Sequence, residues 1–161
     1  MKGHGTILYV LAIVPELAGA TMPVCVENRA RLDRWTVEVF EQELQSALRT
    51  SGFEIRYGAC ENAVRVSIYA AAPEAADGAL GAARREGDRI LPEISVYSGP
   101  VGRLIGTGLP ALLGKALARV AVHEFGHYVA QTPHHGSEGA MAAYVTGPRL
   151  MAGRTRDFLI H

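Results

Sequence analysis

A long apolar helix pattern that runs into a pair of histidines constrains this chain more than any other feature. From Leu109 and Pro110 the sequence continues to Gln131, with Pro110 suited to a first helical turn and Leu113, Ala116, Leu117, Val120 and Ala121 along one inward stripe. His123 and His127 continue that buried side. Four positions apart, they project from the same face, close enough for both imidazoles to bind one metal ion, and Glu124 between them can reach a metal-bound water. Two imidazoles set against a core are costly unless their nitrogens are satisfied. A metal ion on one nitrogen and a hydrogen-bond acceptor on the other meets that need for both rings.

Catalytic zinc takes three protein ligands and keeps a fourth position open, so two histidines on a helix need a third group. The segment after the helix offers His134 and His135. A straight helix would carry His135 about 12 Å along the axis from His127, too far for one ion, so the chain must turn back. Pro133 ends the helix and Gly136 loosens the segment after it. Six residues past His135 stands Met141, preceded by Gly139 and Ala140.

The order His-Glu-x-x-His, a further His and a Met in a turn resembles the metzincin clan of zinc metallopeptidases, specifically over residues 117 to 141 and loosely elsewhere. The resemblance implies a Met-containing turn packed beneath the metal, with Met141 in that role and Gly139 shaping the turn. It also departs from the mainstream pattern. Where standard members place Gly and the third His, three and six residues after the second His, this chain has Ala130 and Pro133. The layout looks more like small bacterial proteins with a longer turn before the last His. In that layout His135 matches the third ligand and His134 is its neighbour and rival. Tyr144, just beyond the Met turn, is by resemblance an oxyanion stabiliser and otherwise a packing residue.

The function this implies is peptide-bond hydrolysis by a zinc-dependent metallopeptidase. It would hold one Zn²⁺ per chain on His123, His127 and His135, with Glu124 as general base and a peptide or protein as substrate. Two rivals share the ligands. One is a metal-binding or protein-interaction module without turnover, and the other a zinc hydrolase of a non-peptide amide.

Composition narrows the partners. The 161 residues suit one domain (1–161), and a formal net charge of zero gives no basic face for nucleic acid. No segment reaches the roughly 18 apolar residues of a membrane span. Cys25 and Cys60 either form one disulfide or stay as two thiols, and the lack of a C-x-x-C pairing argues against metal ligation by them. Lys2, the apolar run from Ile7 to Val14 and Ala18-Gly19-Ala20 resemble a secretory signal. The same run also reads as a first strand closed by Pro15. We favour the strand, because the expected sheet otherwise lacks a central apolar strand. The compartment, extracytoplasmic or cytoplasmic, depends on that choice.

The remaining pattern predicts a loop over 16–28, a helix over 29–50 and strands over 53–57 and 64–69 joined as a hairpin. Two more strands are expected at 79–85 and 89–98 around Glu86-Gly87-Asp88, and a last helix from Thr146 to about Ile160. By resemblance to metzincins, the stretch from Glu93 to Tyr97 would be the edge strand at the lip of the cleft that pairs with extended substrate, and otherwise simply an edge strand. Together these elements make an α+β fold of the zincin kind: a small mixed sheet with a long helix on it, the metal helix and a terminal helix.

Overall fold

The computed structural model describes residues 21–136, 139–142, 145–158 and 160. Its sheet has five strands: β1 (Met22–Asn28), β2 (Ile55–Tyr57), β3 (Val64–Tyr69), β4 (Gly81–Glu86) and β5 (Arg89–Tyr97), in the spatial order β2-β1-β3-β5-β4. The first four positions in that order are parallel, and β4 joins β5 antiparallel. The helices are α1 (Arg34–Thr50), α2 (Ser98–Ile105), α3 (Pro110–Ala130) and α4 (Gly147–Ala152). This is the expected mixed α+β architecture.

β1 is the main departure. The segment expected as a loop is the strand at the middle of the sheet, with Val24 and Cys25 buried on its two faces. Pro23 disguised it, because proline is rarely found inside a sheet. Here Pro23 pairs only towards β2, and the β3 register starts one residue later at Val24. The strand expected over Ile7 to Val14 lies outside the described residues. β2 and β3 do not form the expected hairpin either. They flank β1 on opposite sides, and the crossing between them carries Cys60, which is joined to Cys25 in a disulfide.

α1 starts five residues later than its hydrophobic pattern implies. The Asn28 side chain accepts the Leu32 N–H at 2.9 Å and donates to the Leu32 carbonyl at 2.8 Å, holding 28–32 as a turn. Asp33 then caps the helix by accepting the Thr36 N–H at 3.0 Å. β4 and β5 form the expected hairpin, with Gly87 in the left-handed region at φ +59°. β5 is an interior strand, however, between β3 and β4, so the sheet's edge beside α3 is β4 and not the stretch from Glu93 to Tyr97.

α3 matches the sequence pattern closely. It is apolar around most of its circumference, and its stripe residues Leu113, Ala116, Leu117, Val120 and Ala121 are all buried. Phe40, Leu44 and Leu48 of α1, Leu117 and Phe125 of α3, and Val24, Val66, Ile68, Ile94 and Val96 of the sheet share one core. The single terminal helix expected is broken. α4 stops before Gly153, and a separate 3₁₀ turn comes next at Thr155–Phe158. Leu150 and Phe158 are buried as expected. Both helical pieces are held by Arg119 of α3, a fully buried side chain. It donates to the Leu150 carbonyl at 2.6 Å and to that of Gly153, pairs with Glu43 of α1 at 2.9 Å, and lies over the Phe158 ring.

Candidate metal centre

His123 and His127 stand on successive turns near the end of α3. The helix is terminated at Gln131, whose backbone is left-handed at φ +48°. The Gln131 side chain clamps this end to the sheet. Its Oε1 accepts the Ile90 N–H at 3.1 Å, and its Nε2 donates to the carbonyls of Ile90 at 2.9 Å and Tyr128 at 2.7 Å. Helix and β5 are therefore held in a fixed relation, and the chain doubles back from there.

The returning segment brings His135 to the other two histidines. One ring nitrogen from each of His123, His127 and His135 can be chosen so that all lie within 4.8 Å of one another. The ring centroids are 4.7, 5.2 and 4.9 Å apart pairwise. The next residue anchors the return: the Gly136 N–H donates to the Met141 carbonyl at 2.7 Å. His134 is exposed and lies outside the cluster, with its backbone N–H on Thr132 Oγ1 at 3.2 Å.

Met141 packs against α3 at Gly126. A Cβ built on Gly126 of α3 would collide with the Met141 sulfur and crowd its Cγ at 3.3 Å, so the turn lies directly against the metal helix and glycine alone leaves room for it. Gly139 enters the turn at φ +65°, a conformation that glycine adopts without strain. The Arg149 side chain holds the same turn from α4 by donating to the Gly139 carbonyl at 2.8 Å. Tyr144 lies outside the described residues.

The two helix histidines are oriented by backbone carbonyls. His123 Nδ1 is 2.6 Å from the Ala140 oxygen and His127 Nδ1 is 2.8 Å from the Thr132 oxygen. A carbonyl only accepts, so each Nδ1 must carry the proton, which leaves the Nε2 lone pairs exposed. Those two Nε2 atoms face each other at 3.1 Å. Burial holds the pKa of both rings below the ordinary histidine value, so at neutral pH the pair is two acceptors without a proton between them. With a third imidazole beside it, the pair can offer its lone pairs to a single cation. The donor set fits Zn²⁺, which favours three neutral imidazoles with an open fourth position.

Glu124 lies in the same cleft. Its carboxyl is buried, and burial pushes its pKa up to about 7, opposed by the backbone N–H of Ala83 in β4. It lines cavities on two sides. One, of about 300 Å³, is shared with Leu80, Gly81, Val120, His123 and His135, and the other, of about 220 Å³, with Ala83, Arg85, His127 and Pro133. A larger apolar cavity of about 530 Å³ sits apart, between Met22, Phe53 and Tyr128. None of the clustered histidines lines it, so size is a poor guide to the chemistry here.

Sequence reasoning missed Gln131, Arg149 and the carbonyls of Thr132 and Ala140. The carbonyls have no side-chain signature, because any residue supplies one. A Gln at a left-handed helix end likewise has no pattern that would mark it as a clamp.

No protein-family model and no curated protein matches the sequence. Among solved structures, the crystal structure of archaemetzincin from Methanopyrus kandleri is similar, with a TM-score of 0.60 over 91% of this chain and 92% of that chain at 13% sequence identity. At that identity the likeness concerns architecture, and it spans nearly the whole of both chains. The five-stranded mixed sheet and the helices packed on it are therefore similar in architecture to archaemetzincin.

Proposed function

We propose that this chain is a zinc-dependent metallopeptidase with one catalytic domain and one Zn²⁺ held by His123, His127 and His135. The observation that carries the reading is the convergence of three imidazole nitrogens within 4.8 Å, in a cleft that also contains the buried carboxyl of Glu124. The longer step from His127 to the third histidine is the spacing we associate with small bacterial metzincin-like proteins. The metal would supply Lewis acidity, polarising the scissile carbonyl and making water acidic enough to attack near neutral pH.

Glu124 is the chain's general base. It accepts a proton as water adds to the carbonyl carbon, and delivers it to the amine nitrogen as the C–N bond breaks. Acid and amine are then released without a covalent acyl-enzyme. Burial raises the pKa of this carboxyl in the metal-free protein, and a dication on the neighbouring histidines would draw it back towards the carboxylate form that takes a proton from water. β4 supplies the substrate's place. As an edge strand beside Glu124 it offers main-chain groups to an extended peptide, which favours a peptide or protein over a small amide.

Reconstituted protein should contain about one zinc per chain, and His127→Ala should lose it. Glu124→Gln should keep the zinc while peptide cleavage falls by at least about a thousandfold. Cleavage comparable to the native protein in that variant would remove Glu124 as the base. Zinc binding without cleavage of any member of a peptide library would point to a binding module instead.

A further inference from the structure

The first twenty residues carry a second reading that the fold now favours. Ile7 to Val14 reads as a strand by its β-branched residues and Pro15, but its preference over a signal rested on a central apolar strand being missing. β1 fills that place, and β2 and β3 occupy both of its sides. The ladder also starts immediately, since the Met22 N–H already donates to the Glu54 carbonyl at 2.8 Å. Among the described residues, the elements that build the core thus begin two residues after Ala20.

The disulfide is an independent observation. Cys25 lies in the central strand, 2% exposed, and is joined to Cys60 with their Cα atoms 5.0 Å apart. Disulfides of this structural kind form and persist in oxidising compartments and are rare in the reducing cytoplasm. A chain built around one needs a route out. Residues 1–20 have the required composition: Lys2, an eight-residue apolar run from Ile7 to Val14 that is too short to span a bilayer, and small residues at Ala18 and Ala20.

We infer that residues 1–20 are an export signal and that a signal peptidase cleaves between Ala20 and Thr21. Water adds across that peptide bond, leaving a carboxylate on Ala20 and an ammonium on Thr21. The released chain begins one residue before β1 and acquires its disulfide outside the cytoplasm. The inference does not depend on the proposed peptidase activity, because it uses neither the histidines nor Glu124.

The test is expression of the full chain from its own Met1 in a bacterium with a separable periplasm, with the product mass and free thiols measured in each fraction. The expected product is periplasmic, starts at Thr21 and has no thiol open to alkylation until it is reduced. Ala20→Asp and Ala18→Asp, both ahead of β1, should accumulate the uncut precursor with the membranes. As a second measurement, residues 1–20 fused ahead of a reporter enzyme that works only outside the cytoplasm should activate it. A full-length native chain confined to the cytoplasm, a mature end other than Thr21, unchanged processing of the Asp variants or a silent reporter would each overturn the inference.

Discussion

At the scale of single residues, the site is a problem in proton placement. Two backbone carbonyls fix the protons of His123 and His127 on Nδ1, and that leaves Nε2 lone pairs aimed at one point. His135 brings a third nitrogen to that point and its neighbour His134 does not. His135→Ala should therefore weaken zinc binding by orders of magnitude, while His134→Ala should change it by less than about threefold. Competition with a chromophoric chelator measures both, and an equal loss in the two variants would dissolve the distinction. The pentad and the His pair were legible in sequence because side-chain identity carries that chemistry. The preference for His135 rested on spacing and resemblance, and the carbonyl partners were beyond either.

At the scale of elements, helix ends position the chemistry. The bonds of Gln131 to both backbone groups of Ile90 tie the end of α3 to β5, and the next carbonyl along is the one that orients His127. Gln131→Ala should lower zinc affinity roughly tenfold or more, as loss of an outer-shell support does. Affinity equal to the native protein's would show that the clamp serves stability alone. At the start of α1, bonds from the Thr36 hydroxyl and N–H hold the Asp33 carboxyl below the usual aspartate range. A depressed pKa contributes stability that is present above the unfolded value of 3.8 and is lost as pH falls through the folded one. Asp33→Ala should therefore be less stable than the native protein at neutral pH, with the gap closing below about pH 3.8 in denaturant titrations. A gap that stays constant with pH would contradict this. α3 and β3 were readable because periodicity and burial agree in them. β1 was not, because Pro23 obscured a strand whose evidence lies in its neighbours, and Asn28 moved the start of α1 through a local turn that periodicity does not register.

At the scale of the whole molecule, the disulfide ties the central strand to the crossing between β2 and β3 over a sequence separation of 35 residues. Reduction, or Cys25→Ser with Cys60→Ser, should lower unfolding free energy by about 2–4 kcal/mol, read from denaturant midpoints. An unchanged midpoint would mean that the bridge constrains little. The pairing could not be read from two distant cysteines, because only the sheet order brings them together. The α+β class was legible from the alternation of elements, whereas the position of β4 as the outer strand depends on pairings far apart in sequence. The ligands themselves differ in kind. His123 and His127 belong to a helix locked into the core, whereas His135 rides on a returning segment anchored through Gly136 and the Met141 turn. For a zinc ion held by all three, the helix pair would serve as the landing place and the turn as the latch.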